Sequence, residues 1–283
     1  MVAPILMPPK PSSLATAFTV AKPIMGVIHL RPLPGAPAYD GEDVRDIYAA
    51  GVKDALTLAR GGIDAIIVEN ASDQPFLRPD DIGPETVAAL TAATLEIRNA
   101  VDVPLGVTCV ANAAIQAIAI AKAVGAKWVR VNQWANAYIA NEGFLNGEAA
   151  KALRFRSAIG AKDVHILADV HVKFGAHAIT GDRSISEQAS DAEWHQADVL
   201  IVTGTRTGSP TQPGEVKEVR AGTNLPVIVG SGLDPEQLPA LFDVADGAIV
   251  GQWLKVDGRW WNPIDPFRVE RLMTAANDFR AGL

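Results

Sequence analysis

Eight short apolar runs, each followed by a stretch of helical periodicity, restrict the fold of this chain more than any other feature. They lie at residues 24–28, 65–68, 105–110, 128–131, 164–170, 199–202, 227–229 and 248–250. Runs of three to seven mostly apolar residues, rich in Val and Ile, suit strands buried on both faces. Between them, Val44, Ile47, Tyr48, Leu56 and Ala59 recur at helical spacing, as do Ile115, Ile118 and Ala119 after Asn112, a candidate N-cap. Asp234-Pro235 and Asp265-Pro266 each read as a cap followed by a first-turn proline. Regular βα alternation predicts a parallel sheet, and eight units favour closure into a single (β/α)8 TIM barrel over an open doubly wound sheet. The chain has 283 residues, and barrels of this kind run to about 250 in one domain. The expected division is a loosely ordered N-terminal arm at 1–22, covering the barrel bottom or a neighbouring subunit, and a barrel at 23–283.

Composition removes several functions. A net charge of -7 without a dense Lys/Arg cluster argues against nucleic acid, whose phosphates need a basic face. The lone cysteine, Cys109, sits in an apolar run and reads as a buried thiol rather than a nucleophile. The arm lacks the basic start and long apolar core of a signal peptide, and no segment reaches the roughly 20 apolar residues of a membrane span. A cytoplasmic protein is expected.

Connections at 31–42, 71–83, 133–147 and 203–214 are long and follow strand C-terminal ends, which marks that face as the active one. Polar residues collect there: His29, Glu69 and Asn70, Thr108, Arg130 and Asn132, Asp169, His171 and Lys173, and Thr203. Asp169, His171 and Lys173 differ by two and should share a face of an extended strand, as should Arg130 and Asn132. Glu69 can pair with Arg130 or Lys173 across the mouth. A carboxylate with His or Lys supports proton transfer next to a carbonyl, or acid–base cleavage of a C–O or C–N bond. Lys173 beside Phe174 is also a Schiff-base candidate. The plainer alternatives are that Glu69 and Asp169 only neutralise basic neighbours and that His29 is a wall residue. His29, Glu69, Asp169 and His171 match no metal-ligand spacing, so a divalent metal is not favoured, and the residues name no cofactor.

Two strands ending in glycine, Val229-Gly230-Ser231-Gly232 and Val250-Gly251-Gln252, fall at positions seven and eight. There a barrel of this type builds a phosphate site from backbone N–H groups. Gly230, Ser231, Gly232, Gly251 and Gln252 are the candidate cup, with Arg206 as a clamp; the alternative is that the glycines only make tight turns. A small phosphorylated molecule is the expected partner.

Taken together, Gly26-Val27-Ile28-His29-Leu30, Asp64 through Asn70, Pro104-Leu105-Gly106-Val107, Val129-Arg130-Val131-Asn132, Glu142-Gly143, Ala168-Asp169-Val170 with Lys173, Thr203-Gly204, Val229 through Gly232, and Val250-Gly251 with Leu254-Lys255 resemble the BtpA/SgcQ family. The resemblance runs from Met25 to about Phe279. It implies a barrel similar to the ribulose-phosphate-binding barrels, and for cyanobacterial members a role in photosystem I biogenesis with peripheral thylakoid association. Other members imply sugar metabolism. The family pattern has Asp after the Asn that follows strand three and His after the strand-five Lys; this chain has Ala113 and Phe174, with His177 close by as a substitute.

The expected function is an enzyme on a small phosphorylated sugar or ribosyl compound, catalysing isomerisation or lyase- or hydrolase-type cleavage. Glu69, Asp169, Lys173 and His171 would be catalytic, and His29, Asn70, Arg130, Asn132 and Thr203 would bind substrate. The alternative is a non-catalytic assembly or stability factor, with Trp260-Trp261 as a partner patch, or else as helix packing. A homo-oligomer is expected.

Overall fold

A computed structural model of the chain describes residues 12–204 and 210–283. Eight parallel strands close a barrel: β1 (Ile24–His29), β2 (Ala65–Glu69), β3 (Leu105–Thr108), β4 (Trp128–Val131), β7 (His165–Val170), β8 (Val199–Val202), β9 (Val227–Val229) and β10 (Ala248–Val250). Their order around the barrel is β1-β10-β9-β8-β7-β4-β3-β2. Each apolar run of the sequence is a strand, and the fold is the (β/α)8 barrel that the alternation predicts.

The helices α2 (Val44–Arg60), α3 (Pro84–Ala100), α4 (Ala114–Val124), α5 (Ala149–Ala158), α6 (Ile185–Trp194), α7 (Pro213–Arg220) and α9 (Pro266–Ala281) bury one side each in the core around the strands. Their ends follow the expected chemistry in places. Asp43 caps α2 by accepting from Arg45 N, and Asp265 caps α9 by accepting from Phe267 N. Two expected caps differ. Asn112 has φ +59 and does not cap α4. Its Oδ1 instead accepts from Gln133 N at 2.7 Å and its Nδ2 donates to Asn146 O at 3.1 Å, tying the connection after β3 to both ends of the one after β4. Asp234 accepts from Gln237 N at 2.8 Å, holding a turn ahead of the five-residue helix α8 (Leu238–Phe242).

The connection 133–147 is not a plain loop. It contains an antiparallel hairpin of β5 (Ala137–Ala140) and β6 (Gly143–Asn146). Tyr138 and Leu145 pair inward while Ile139 and Phe144 pair outward and are exposed. Two inward residues per hairpin are too few for periodicity to reveal.

Strand alternation fills the barrel. Met25 and Val27, Ala65 and Ile67, Val199 and Ile201, with Trp128, Leu167, Ile228 and Ile249, form the lower interior cluster. The helix α1 (Ser13–Ala17), capped by Ser12, places Leu14 and Phe18 on this cluster. The Phe18 ring lies 5.4 Å from that of Trp128. This part of the arm therefore floors the barrel.

Trp128 also explains a glycine in the middle of β3. Gly106 is its register partner, and a Cβ there would run into the indole. We expect Gly106→Ala to destabilise the protein by about 1–3 kcal/mol, the range for overpacking a close-packed core. Denaturant unfolding measures it, and an unchanged midpoint would contradict this packing.

Candidate active site

The alternation that packs the floor with apolar side chains continues upward into polar ones. His29 follows Met25 and Val27, Glu69 follows Ala65 and Ile67, Arg130 follows Trp128, and Asp169 follows Leu167. The register places His29 beside Glu69 and Glu69 beside Thr108. These side chains form the top layer of the barrel interior.

Arg130 and Asp169 make a bidentate pair, Nε to Oδ1 and Nη2 to Oδ2, both at 3.0 Å. Asp169 is only 4% exposed. Burial pushes its carboxyl up, while Arg130 pulls the other way. Glu69 is likewise pushed up by burial, against the attraction of Arg130 and Lys173. Lys173 moves in the opposite direction. Burial first, then the Arg130 cation, bring its amine down to about 8. A carboxyl raised and an amine lowered share one site.

Lys173 is fixed at both ends. Its backbone N–H donates to Thr203 Oγ1 at 3.0 Å, and its Nζ donates to Ser231 Oγ at 3.3 Å. His29 is neutral, held down to about 3 chiefly by burial and then by the Lys255 cation. Its Nδ1 lies 2.8 Å from Trp260 O. A carbonyl can only accept, so Nδ1 carries the hydrogen and Nε2 keeps a lone pair. Lys255 itself is fully buried, 3.6 Å from Asp54 of α2.

A cavity of about 720 Å³ opens above this layer. It is lined by His29, Glu69, Arg130, Asn132, Lys173 and all five residues of the glycine-rich strand ends, Gly230, Ser231, Gly232, Gly251 and Gln252. Asn132 Oδ1 is buried beside it with no partner among the described residues. Gly232 needs its φ of +74, and Gly251 packs so close to His29 that a Cβ would lie 3.2 Å from the ring. Gly230 is steric in a different sense. Its N–H is taken by Val202 O at 2.7 Å, and a Cβ there would meet Ile201. It shapes the cup without offering its amide to an anion.

Four expected site residues lie elsewhere. Asp169 sits beneath Arg130 and does not line the cavity. Asn70 is a brace: it donates to Asp73 Oδ2 at 2.8 Å and accepts from Val110 N at 2.9 Å. Thr203 supports Lys173. His171 departs from the shared face expected with Asp169 and Lys173 because β7 ends at Val170 and the chain turns at φ +52. Its exposed ring stacks on His177, 3.9 Å between centroids. His177 donates from Nε2 to Val172 O at 2.8 Å, and it does not take the place of Phe174 at the cavity. Arg206 lies outside the described residues. Cys109 is buried and pushed up to about 12, first by burial, which leaves it inert. Among the described residues, no group of three or more His, Cys, Asp or Glu side chains is placed to hold a metal ion.

The expected list also omitted lining residues. Trp253, Asp257, Trp260 and Arg268 come from the segment after β10, whose length was the available signal. Trp260 belongs to the cavity wall, while Trp261 is 60% exposed.

Fold and site together define a (β/α)8 barrel with a polar, ligand-sized cavity at the C-terminal ends of its strands. The BtpA family model matches residues 20–278, and the chain belongs to that family. An uncharacterized protein of Archaeoglobus fulgidus is 37% identical over 90% of this chain and 98% of its own length. The photosystem I biogenesis protein BtpA of Synechocystis is 35% identical, over 93% of this chain and 90% of its own. Among solved structures, tryptophan synthase from M. tuberculosis superposes with a TM-score of 0.58 at 19% identity, covering 94% of this chain and 99% of that one. Phosphoribosyl anthranilate isomerase from Thermus thermophilus gives 0.55 at 14%, covering 90% and 98%. Among the described residues, no helix is long and apolar enough to cross a membrane.

Competitive acetylation of lysines as a function of pH tests the electrostatics directly. Lys173 should reach half-reactivity near pH 8, below the roughly 10.4 of exposed lysines. The sign follows from burial, which favours the neutral amine. A midpoint above 10 would mean that the amine is solvated.

Proposed function

We propose that this protein is an enzyme acting on a small phosphorylated sugar or ribosyl compound by acid–base chemistry. One observation carries the reading: the Lys173 amine, lowered to about 8, lies 3.3 Å from Ser231 Oγ in the glycine-rich cup. The same cavity holds the buried Glu69 carboxyl. A phosphate seated on the backbone around Ser231, Gly232 and Gly251 would bring the adjacent carbons to that pair. The fold supports the placement, since the Thermus thermophilus barrel of the same architecture is named as a phosphoribosyl anthranilate isomerase.

The roles follow from the shifts. Lys173, with its affinity for protons reduced, takes a proton from a substrate carbon next to a carbonyl. Glu69, with its affinity increased, gives one to the carbonyl oxygen; the reverse transfers restore both groups. The same pair serves hydrolysis of a ribosyl C–O or C–N bond, with Glu69 protonating the leaving atom while Lys173 takes the proton of the water that bonds to the ribosyl carbon. Arg130 and Asn132 orient the substrate. Asp169 is a positioning residue that fixes the Arg130 guanidinium. His29 offers its Nε2 lone pair to a substrate hydroxyl.

A second reading rests on the Synechocystis relative, whose name places it in photosystem I biogenesis. In that reading the barrel serves assembly, and Glu69 is dispensable.

A panel of phosphosugars and ribosyl phosphates, screened by thermal shift and by phosphorus NMR for turnover, separates the two. At a hundredfold excess over Kd, a true ligand adds about 2.7 kcal/mol to stability. Glu69→Gln should keep binding and lose roughly 10²–10⁴ in turnover. If no member of the panel binds the folded protein, the enzyme reading fails.

A further inference from the structure

We propose that Phe174 is a shelf for a flat, unsaturated ring carried by the substrate, so that the molecule bound is a phosphate ester with an aromatic or heteroaromatic end. The inference rests on the phosphate cup and acid–base pair of the preceding section and adds the chemistry of the substrate's far end.

Phe174 is 56% exposed and lines the cavity. Its backbone has φ +64, a region in which a bulky residue is a rare outlier that costs about 1–3 kcal/mol. A solvent-facing position that only had to pass the chain onward would suit Gly or Asn. Here a large apolar ring is held in a strained turn at the opening of the reactive site.

The position of the ring relative to the amine is specific. Lys173 Nζ lies 3.3 Å from Ser231 Oγ and 5.9 Å from the centroid of the Phe174 ring. The amine is therefore close to both cup and ring. One ligand of nucleotide size can touch the cup with its phosphate, the amine with its middle and the shelf with its end.

Barrel order divides the mouth accordingly. The cup follows β9 and β10. Phe174 follows β7, and the apolar lining residues Ala71, Phe76 and Val110 follow β2 and β3. Phe76 and Val110 pack on a buried apolar cluster that includes Tyr138 and Val172, so they give this part of the wall a firm apolar surface beside the polar side chains of Glu69, Gln74 and Asn132. Against Phe174, Phe76 and Val110 themselves, the hydroxyls of a sugar ring would find no partner. A flat ring matches these side chains by stacking.

Isothermal titration of the full chain with inorganic phosphate, ribose 5-phosphate, AMP and CMP tests this. The nucleotides should bind roughly tenfold more tightly than ribose 5-phosphate, the scale of stacking one base on one aromatic ring. Phe174→Ala should abolish that advantage and leave ribose 5-phosphate within about twofold of its original affinity. Phe174→Tyr, which keeps the ring, should retain the advantage and does so even if the alanine variant folds poorly. Equal binding of nucleotide and ribose 5-phosphate to the unaltered protein, or an advantage that survives Phe174→Ala, overturns the shelf while leaving the cup intact. If none of the four phosphates binds, the cup fails and the shelf falls with it.

Discussion

A charge inside a closed barrel of apolar strands is stable only beside its opposite, and the upper layer of this barrel is arranged around that rule. The bidentate Arg130–Asp169 pair is its anchor. Breaking such a pair by removing one partner costs about 3–5 kcal/mol, because the survivor is left buried and uncompensated. With Asp169 committed to Arg130, Glu69 and Lys173 feel each other and Arg130 only as nearby charges. Burial then dominates both and drives them toward their neutral forms. The acid–base pair proposed for the site is thus a remainder, left over after the strongest pair has formed.

The floor and the mouth come from one repeating pattern. Trp128 and Arg130 are two residues apart on β4; one closes the lumen against Gly106 and Phe18, and the other lines the cavity at the mouth. The same step separates Ile67 from Glu69 and Val27 from His29. A shift of one residue in any of these strands would turn its floor and mouth side chains alike out of the lumen. The α1 cover at the bottom and the polar layer at the top are therefore held in register by the same backbone ladder.

Strand content and closure were legible because eight apolar runs repeat a strong local signal. The polar layer was legible where strands continue: His29, Glu69 and Arg130 follow alternation directly. It failed where the backbone leaves the strand. His171 has the right residue type at the right spacing, yet a left-handed turn sends it outward to His177. Asn70, Asn112 and Thr203 were legible as polar strand-end residues but not as braces, since a side-chain bond to a distant backbone amide leaves no periodic trace. Gly230 illustrates the same limit, for nothing local says that its N–H is already spent on Val202. Trp253 and Trp260 reach the cavity from the segment between β10 and α9, and Arg268 from the first turn of α9, and their approach to the mouth depends on tertiary packing.

The hydrogen bond between His29 and the Trp260 carbonyl has a consequence beyond fixing a ring. It decides in advance which edge of the imidazole is bare, and that edge is a pure electron-pair donor beside Gly251. Any group resting there must arrive with a hydrogen to give. A carboxylate or carbonyl oxygen is turned away at that point, whereas a hydroxyl or ammonium is received. A single main-chain oxygen, on a loop after the last strand, thereby filters what the first strand can hold.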